Sequence, residues 1–87
     1  IGYLLLEVLA ELEVYSRIRG LREDNDLTQQ KLAEILGCKQ RSYSDYENGV
    51  TRVPLYILIE LSRLYGTSVD YLLNLTDEKT PYPRKKM

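Results

Sequence analysis

The sequence predicts an all-α fold of five helices. Three observations carry that expectation. Apolar residues recur at three- and four-residue spacings along most of the chain, and no stretch alternates with period two. Gly37, Gly49 and Gly66 interrupt the pattern at helix-length intervals. Thr28 and Ser68 stand where hydroxyl caps would open two of the helices.

The first helix is expected from about Tyr3 to Asp24, since neither Gly nor Pro stops it between Tyr3 and Arg19. Glu13 and Arg17 support it at a four-residue spacing. Gly20 weakens it by about 1 kcal/mol relative to Ala, and "DND" at 24–26 ends it. The second helix is expected over 29–36, capped by Thr28 and closed by Gly37, which can take a positive φ. Lys31 is not the Glu or Gln of a capping box, so the cap is one-sided. A third helix is expected over 40–47, closed by Gly49 after Asn48. Pro54 suits the first turn of a fourth, 54–65, whose buried face would be Leu55, Leu58, Ile59, Leu61, Ser62 and Tyr65. Gly66 stops it. Ser68 then caps a short fifth helix, about 69–74. The tail "TDEKTPYPRKKM" holds two prolines and is expected to be mobile.

Eighty-seven residues make one domain, near the lower limit for independent folding. Three parts are expected: a helical extension (1–15), a helix-turn-helix domain (16–76) and a flexible tail (77–87). One Cys and no His exclude an intrachain disulfide and the usual zinc sites. They also leave no His to activate a nucleophile, so no enzyme and no cofactor is expected. Cys38 reads as a small buried hydrophobe in a reducing, cytoplasmic setting. The most apolar segment, "YLLLEVLAEL", is broken by Glu7 and Glu11 and is too short to span a membrane. It lacks the basic flank of a signal peptide. The sequence opens on Ile1 rather than Met, so residues upstream are expected. No small-molecule ligand motif is read.

Net charge is −1, which averages unlike regions. Residues 1–14 carry three acids and no base, 15–76 carry eight of each sign, and 77–87 carry two acids and four bases. Any basic face must therefore come from segregating charges in space.

The stretch "LAEILGCKQRS" at 32–42 joins two helices through about three residues, which forces a steep crossing. Ala33 lets the backbones approach, and Gly37 lets the chain reverse. Tyr43 and Tyr46 would pack inward against Leu32, Leu36 and the fourth helix. Gln40, Arg41, Ser44 and Asp45 would then face outward on a short polar helix of the width that enters a DNA major groove. Arg41 can bond guanine O6 and N7, and Gln40 adenine N6 and N7, each pair discriminating by roughly 1–3 kcal/mol. Asp45 would repel phosphate but can accept from cytosine N4. Backbone N–H groups near Gln29 suit a phosphate.

These residues, with "ENG" at 47–49, Pro54 and "SVDYLL" at 68–73, resemble the Cro/repressor-type, XRE-like helix-turn-helix family with its lambda-repressor-like fold. The resemblance covers about residues 16–76. It implies double-stranded DNA as partner and the third helix as the recognition helix. It implies base-facing positions at Gln40, Arg41, Ser44 and Asp45, a phosphate contact at Gln29, and Asn48, Thr51 and Arg52 beside the backbone. It also implies an internal ion pair between Arg22 and Glu47. Tyr43 and Tyr46 depart from the Val or Ile common in the family, and Lys39 from the Ser common before the third helix. Lys39 and Arg52 are read as phosphate contacts, against simple solvation.

Ile1, Leu5, Val8, Leu12 and Tyr15 follow the 4-3-4-3 spacing of a helix-pairing seam. Two placements fit: against the fourth and fifth helices, or against a second copy. Pairing is preferred, which makes a homodimer through this helix or the fifth one the expected assembly. "RKK" at 84–86 reads as a solubilising tail, with nonspecific DNA attraction as its alternative. The function expected is that of a sequence-specific DNA-binding transcriptional regulator. The alternative is an interaction module of the same fold, an antitoxin or bridging factor, with weak or no DNA binding.

Overall fold

The computed structural model describes residues 14–81; the expected seam at Ile1, Leu5, Val8 and Leu12 and the basic run at 84–86 lie outside them. The described residues form five helices and no strand: α1 over 14–24, α2 Gln29–Leu36, α3 Gln40–Glu47, α4 Leu55–Tyr65 and α5 Val69–Leu72.

Local chemistry sets the starts. Thr28 has an extended backbone, and its side chain accepts from the Lys31 N–H at 3.0 Å. Ser68 does the same for the Tyr71 N–H at 3.0 Å. Lys39 opens α3 with no side-chain cap. Pro54, expected inside α4, is instead its extended N-cap, and its carbonyl accepts from Ile57 and Leu58 at 3.1 Å each.

All five helices end in one way. A residue turns left-handed, and the N–H after it returns to a carbonyl five residues back. The left-handed residues are Asp26, Gly37, Gly49, Gly66 and Asn74. The returning bonds run Leu27 to Arg22, Cys38 to Ala33, Val50 to Asp45, Thr67 to Ser62 and Leu75 to Asp70, at 2.9–3.1 Å. The fifth helix accordingly stops at Leu72, short of the expected end.

The core joins Ile18 and Leu21 of α1, Leu32 and Ala33 of α2, Tyr43 and Tyr46 of α3, Ile57 and Leu61 of α4, and Leu72 of α5. The two tyrosine rings meet edge to face, 6.3 Å apart at 87°. On α4 the expected face needs correction at two positions. Ile57 is fully buried, four residues before Leu61, whereas Leu55 is 68% exposed. Leu55 shares an angular face with Leu58 and Ser62 but sits in the opening turn, beyond the core's reach. Cys38 is half-buried and packs against the core, and burial pushes its thiol up.

A second seam ties α1 to α5. Arg17 lies 4.1 Å over the Tyr71 ring and donates to the Tyr71 carbonyl at 2.7 Å. The tail, expected to be mobile, returns here. The Lys79 carbonyl accepts from the Ser68 N–H at 2.9 Å, and Lys79 Nζ stands 5.7 Å from the same ring.

Gly37 and Gly49 share φ +72 but not surroundings. A Cβ on Gly37 meets nothing within 4 Å, whereas one on Gly49 falls 2.7 Å from Tyr15 Cε2. Gly37→Ala should cost about 1–2 kcal/mol, the left-handed penalty alone. Gly49→Ala should cost about 1 kcal/mol more, from overpacking. Urea unfolding of both variants measures the gap, and Tyr15→Ala should remove the excess.

Candidate nucleic-acid interface

The polar helix α3 is held at its far end by a buried carboxylate. Glu47 is its last residue and only 3% exposed. Arg22 of α1 donates Nε to Glu47 Oε2 at 2.6 Å and Nη2 to Oε1 at 3.1 Å. The same guanidinium sends Nη1 to the Leu27 carbonyl at 2.8 Å, so all its nitrogens are engaged. Gln29 of α2 donates Nε2 to Glu47 Oε1 at 3.1 Å. Arg19 approaches the same oxygen at 3.6 Å from the solvent side. One carboxylate thus joins α1, α2 and α3.

The electrostatics follow from this packing. Burial alone would raise the Glu47 carboxyl, but the hydrogen bonds from Arg22 and Gln29, with the Arg22 charge, outweigh it and hold it below its ordinary value. Arg22 is held above its own, chiefly by its bond to Glu47. Burial, then the nearby carboxylate, pushes the Tyr43 phenol far up, and the same two causes push Tyr65 up to about 12. Both hydroxyls stay protonated at any working pH.

The Schellman closure at Gly37 turns the chain from α2 into α3, and buried Tyr43 and Tyr46 set the rotation of α3. This brings the expected base-facing residues onto one side. Gln40 and Arg41 are exposed, and Ser44 and Asp45 half-buried. Arg41 reaches Asp45 at 3.5 Å with its side chain 88% exposed. Lys39, Asn48, Thr51 and Arg52 are exposed around this face.

Two of the expected phosphate-facing side chains are already engaged within the protein. Gln29 turns its amide nitrogen toward Glu47, which uses one of its two hydrogens. Asn48 accepts from Arg19 Nη2 at 2.9 Å and donates to Ser44 Oγ at 3.3 Å. Sequence reasoning missed Arg19, which lies two helical positions after Arg17 and gave no periodic signal of its own. A polar hollow of about 280 Å³ lies here, lined by Tyr15, Ser16, Arg19, Glu47 and Asn48. Around the loop at 50–54 and the start of α4, apolar side chains are also exposed: Val50, Leu55 and Tyr56.

A family model described as helix-turn-helix matches residues 18–72. The chain belongs to the helix-turn-helix family. Among relatives of this helix-turn-helix chain is an uncharacterized HTH-type transcriptional regulator, YobD, of Bacillus subtilis (strain 168). It is 44% identical over 70 residues, covering 80% of this chain and 62% of that protein. The HTH-type transcriptional regulator AnsR of the same organism is 32% identical over 68 residues, 78% of this chain and 59% of AnsR. The cryptic phage CTXphi transcriptional repressor RstR of Vibrio cholerae is 32% identical over 59 residues, 68% and 53%. This chain therefore spans roughly three fifths of the length of these relatives. No solved structure gives a significant match. No helix among the described residues is long and apolar enough to cross a membrane.

Glu47→Gln should destabilise the fold by about 3 kcal/mol at neutral pH, because Arg22 then lies largely buried without its counter-charge. The pH dependence has a definite sign. The lowered carboxyl contributes stability fully above its unfolded value, and that stability is lost as pH falls through the folded one. Urea unfolding between pH 7 and pH 3 should show a shallower acid decline in the variant than in the parent.

Proposed function

We propose that this chain is a sequence-specific, double-stranded DNA-binding transcriptional regulator that acts as a homodimer. The observation that carries the reading is the presentation of α3. Its inner face is locked by Tyr43 and Tyr46, its end by Glu47, and Gln40 and Arg41 stand exposed on the outer face. A rigid helix with donor-rich side chains near its N-terminus matches the geometry of major-groove reading. In this reading Arg41 and Gln40 contact base edges, with Ser44 and Asp45 beside them. Gln29, Lys39, Asn48, Thr51 and Arg52 hold the sugar-phosphate backbone. The printed names of the relatives, transcriptional regulators and a phage repressor, support it.

The dimer rests on two features. The sequence places a pairing seam in residues 1–15, and Leu64 and Leu75 are exposed on α4 and just after α5. Two recognition helices about 34 Å apart would read half-sites one turn apart. The setting is cytoplasmic, where Cys38 stays reduced.

One observation favours the other reading, a protein-interaction module of the same fold such as an antitoxin or bridging factor. Val50, Leu55 and Tyr56 are 72%, 68% and 60% exposed where a phosphate-facing surface would carry bases. Salt separates the two readings. Binding through several phosphates weakens steeply between low and moderate salt, whereas apolar association does not.

Enrichment of bound sites from random duplexes tests the proposal. We expect a two-fold symmetric site with half-sites one turn apart, and a loss of about 1–3 kcal/mol with relaxed preference at one base pair for Arg41→Ala. If no sequence is enriched and Arg41→Ala changes nothing, the reading fails. Sedimentation of the full chain should give a mass of two copies.

A further inference from the structure

We infer that Arg19, on α1 and outside α2 and α3, is a positioning residue that fixes which end of the Asn48 amide meets the DNA backbone. The inference rests on the reading of Asn48 as a phosphate contact.

The argument begins with the chemistry of the amide. Asn48 can present its NH₂ or its carbonyl to solvent, and the two are nearly equal in size. Only the NH₂ can bond a phosphate oxygen; the carbonyl would be repelled by it. Rotation about the last side-chain bond exchanges the two. A guanidinium removes the ambiguity, because it donates and cannot accept. Arg19 Nη2 lies 2.9 Å from Asn48 Oδ1, so the oxygen is the atom drawn back toward α1. Asn48 Nδ2 then faces Ser44 Oγ at 3.3 Å, which occupies one hydrogen and leaves the other for an outside acceptor.

Arg19 is itself held. Its Nε stands 3.6 Å from Glu47 Oε1, the carboxylate that anchors α3. Its side chain is nevertheless 48% exposed, so it is no core element of that anchor. Arg22, not Arg19, supplies the 2.6 Å bond. The chain of contacts runs from the buried carboxylate through Arg19 to Asn48, and from there to the rim of the reading face.

The test uses the full chain and the duplex recovered by enrichment. Arg19→Ala and Asn48→Ala should each weaken binding about tenfold or more, the scale of one hydrogen bond to a charged group. The double variant should bind no worse than either single one. Arg19→Lys, which keeps one donor, should recover most of the affinity. Asn48→Asp keeps its bond to Arg19 but turns an anion outward, and should lose more than Asn48→Ala. Because Asn48 is neutral, Arg19→Ala should leave the salt slope unchanged. Proton NMR of the free protein adds a readout independent of DNA: contacts from the Asn48 side-chain NH₂ to the Ser44 β-protons, present in the parent and lost in Arg19→Ala. Additive losses, or a slope shallower by about one, would make Arg19 a phosphate contact in its own right and overturn the proposal. Unchanged affinity in Arg19→Ala overturns it too, with the functional reading intact. If the parent enriches no duplex at all, that reading falls and this one with it.

Discussion

A carboxylate at the C-terminal end of a helix, out of water, is doubly disfavoured. The macrodipole repels it there, and burial removes its hydration. Glu47 occupies that position on α3. It is tolerated only because Arg22 and Gln29, from two other helices, converge on its oxygens. The constraint therefore works in reverse: α1, α2 and α3 must take their observed arrangement for the charge to be matched at all. Apolar packing of Ile18, Leu32 and Tyr43 would bring these helices together in several rotations. The fork of Arg22, with both carboxylate bonds and the Leu27 carbonyl satisfied at once, is met by far fewer of them. The side of α3 that faces water follows from this, and so do Gln40 and Arg41 upon it.

Much of the fold was legible because it is written in local rules. Thr28 and Gly37 bracket α2, and α3 ends at Asn48 before Gly49, at the residues that caps and glycines indicated. Where glycine was absent the signal was weaker. Asp26 and Asn74 take the left-handed turn that Gly37, Gly49 and Gly66 take elsewhere. Their short polar side chains permit it; "DND" at 24–26 marked the end of α1, but nothing marked Asn74. α5 consequently ends earlier than its apolar pattern predicts.

Other features were illegible for a different reason: they depend on contacts distant in sequence. Leu55 and Ile57 are both large and apolar, and periodicity cannot say which lies past the edge of the core. The return of Glu78 and Lys79 to Ser68 joins a stretch of tail to a helix start through the tail's backbone carbonyls, which leave no side-chain pattern. In the site, the positions facing outward on α3 could be read from Tyr43 and Tyr46 alone. The Arg22–Glu47 pair was implied by family resemblance, and the part played by Arg19 came only from coordinates.

The near-neutral charge of the domain is less of an obstacle to nucleic-acid binding than the totals imply, because its arginines differ in what they are committed to. Arg22 is buried against Glu47, and separating that pair would leave a charge stranded in the interior. Arg17 is engaged with α5. Arg22 with its partner Glu47, and Arg17 with the carbonyl and ring of Tyr71, sit in the formal sum but are not available to an anion. Arg41 differs. Its contact with Asp45 is 3.5 Å long, with its side chain almost wholly in water, and pairs of that kind hold less than about 1 kcal/mol. The free protein therefore carries a reading face whose charge is loosely self-neutralised. On the proposed reading, a guanine edge that offers two acceptors would compete readily for Arg41, and Asp45, once released, would repel phosphate but accept an amino group. Such a pair would favour one base combination over general attraction to the backbone, which a domain with net charge −1 can least supply.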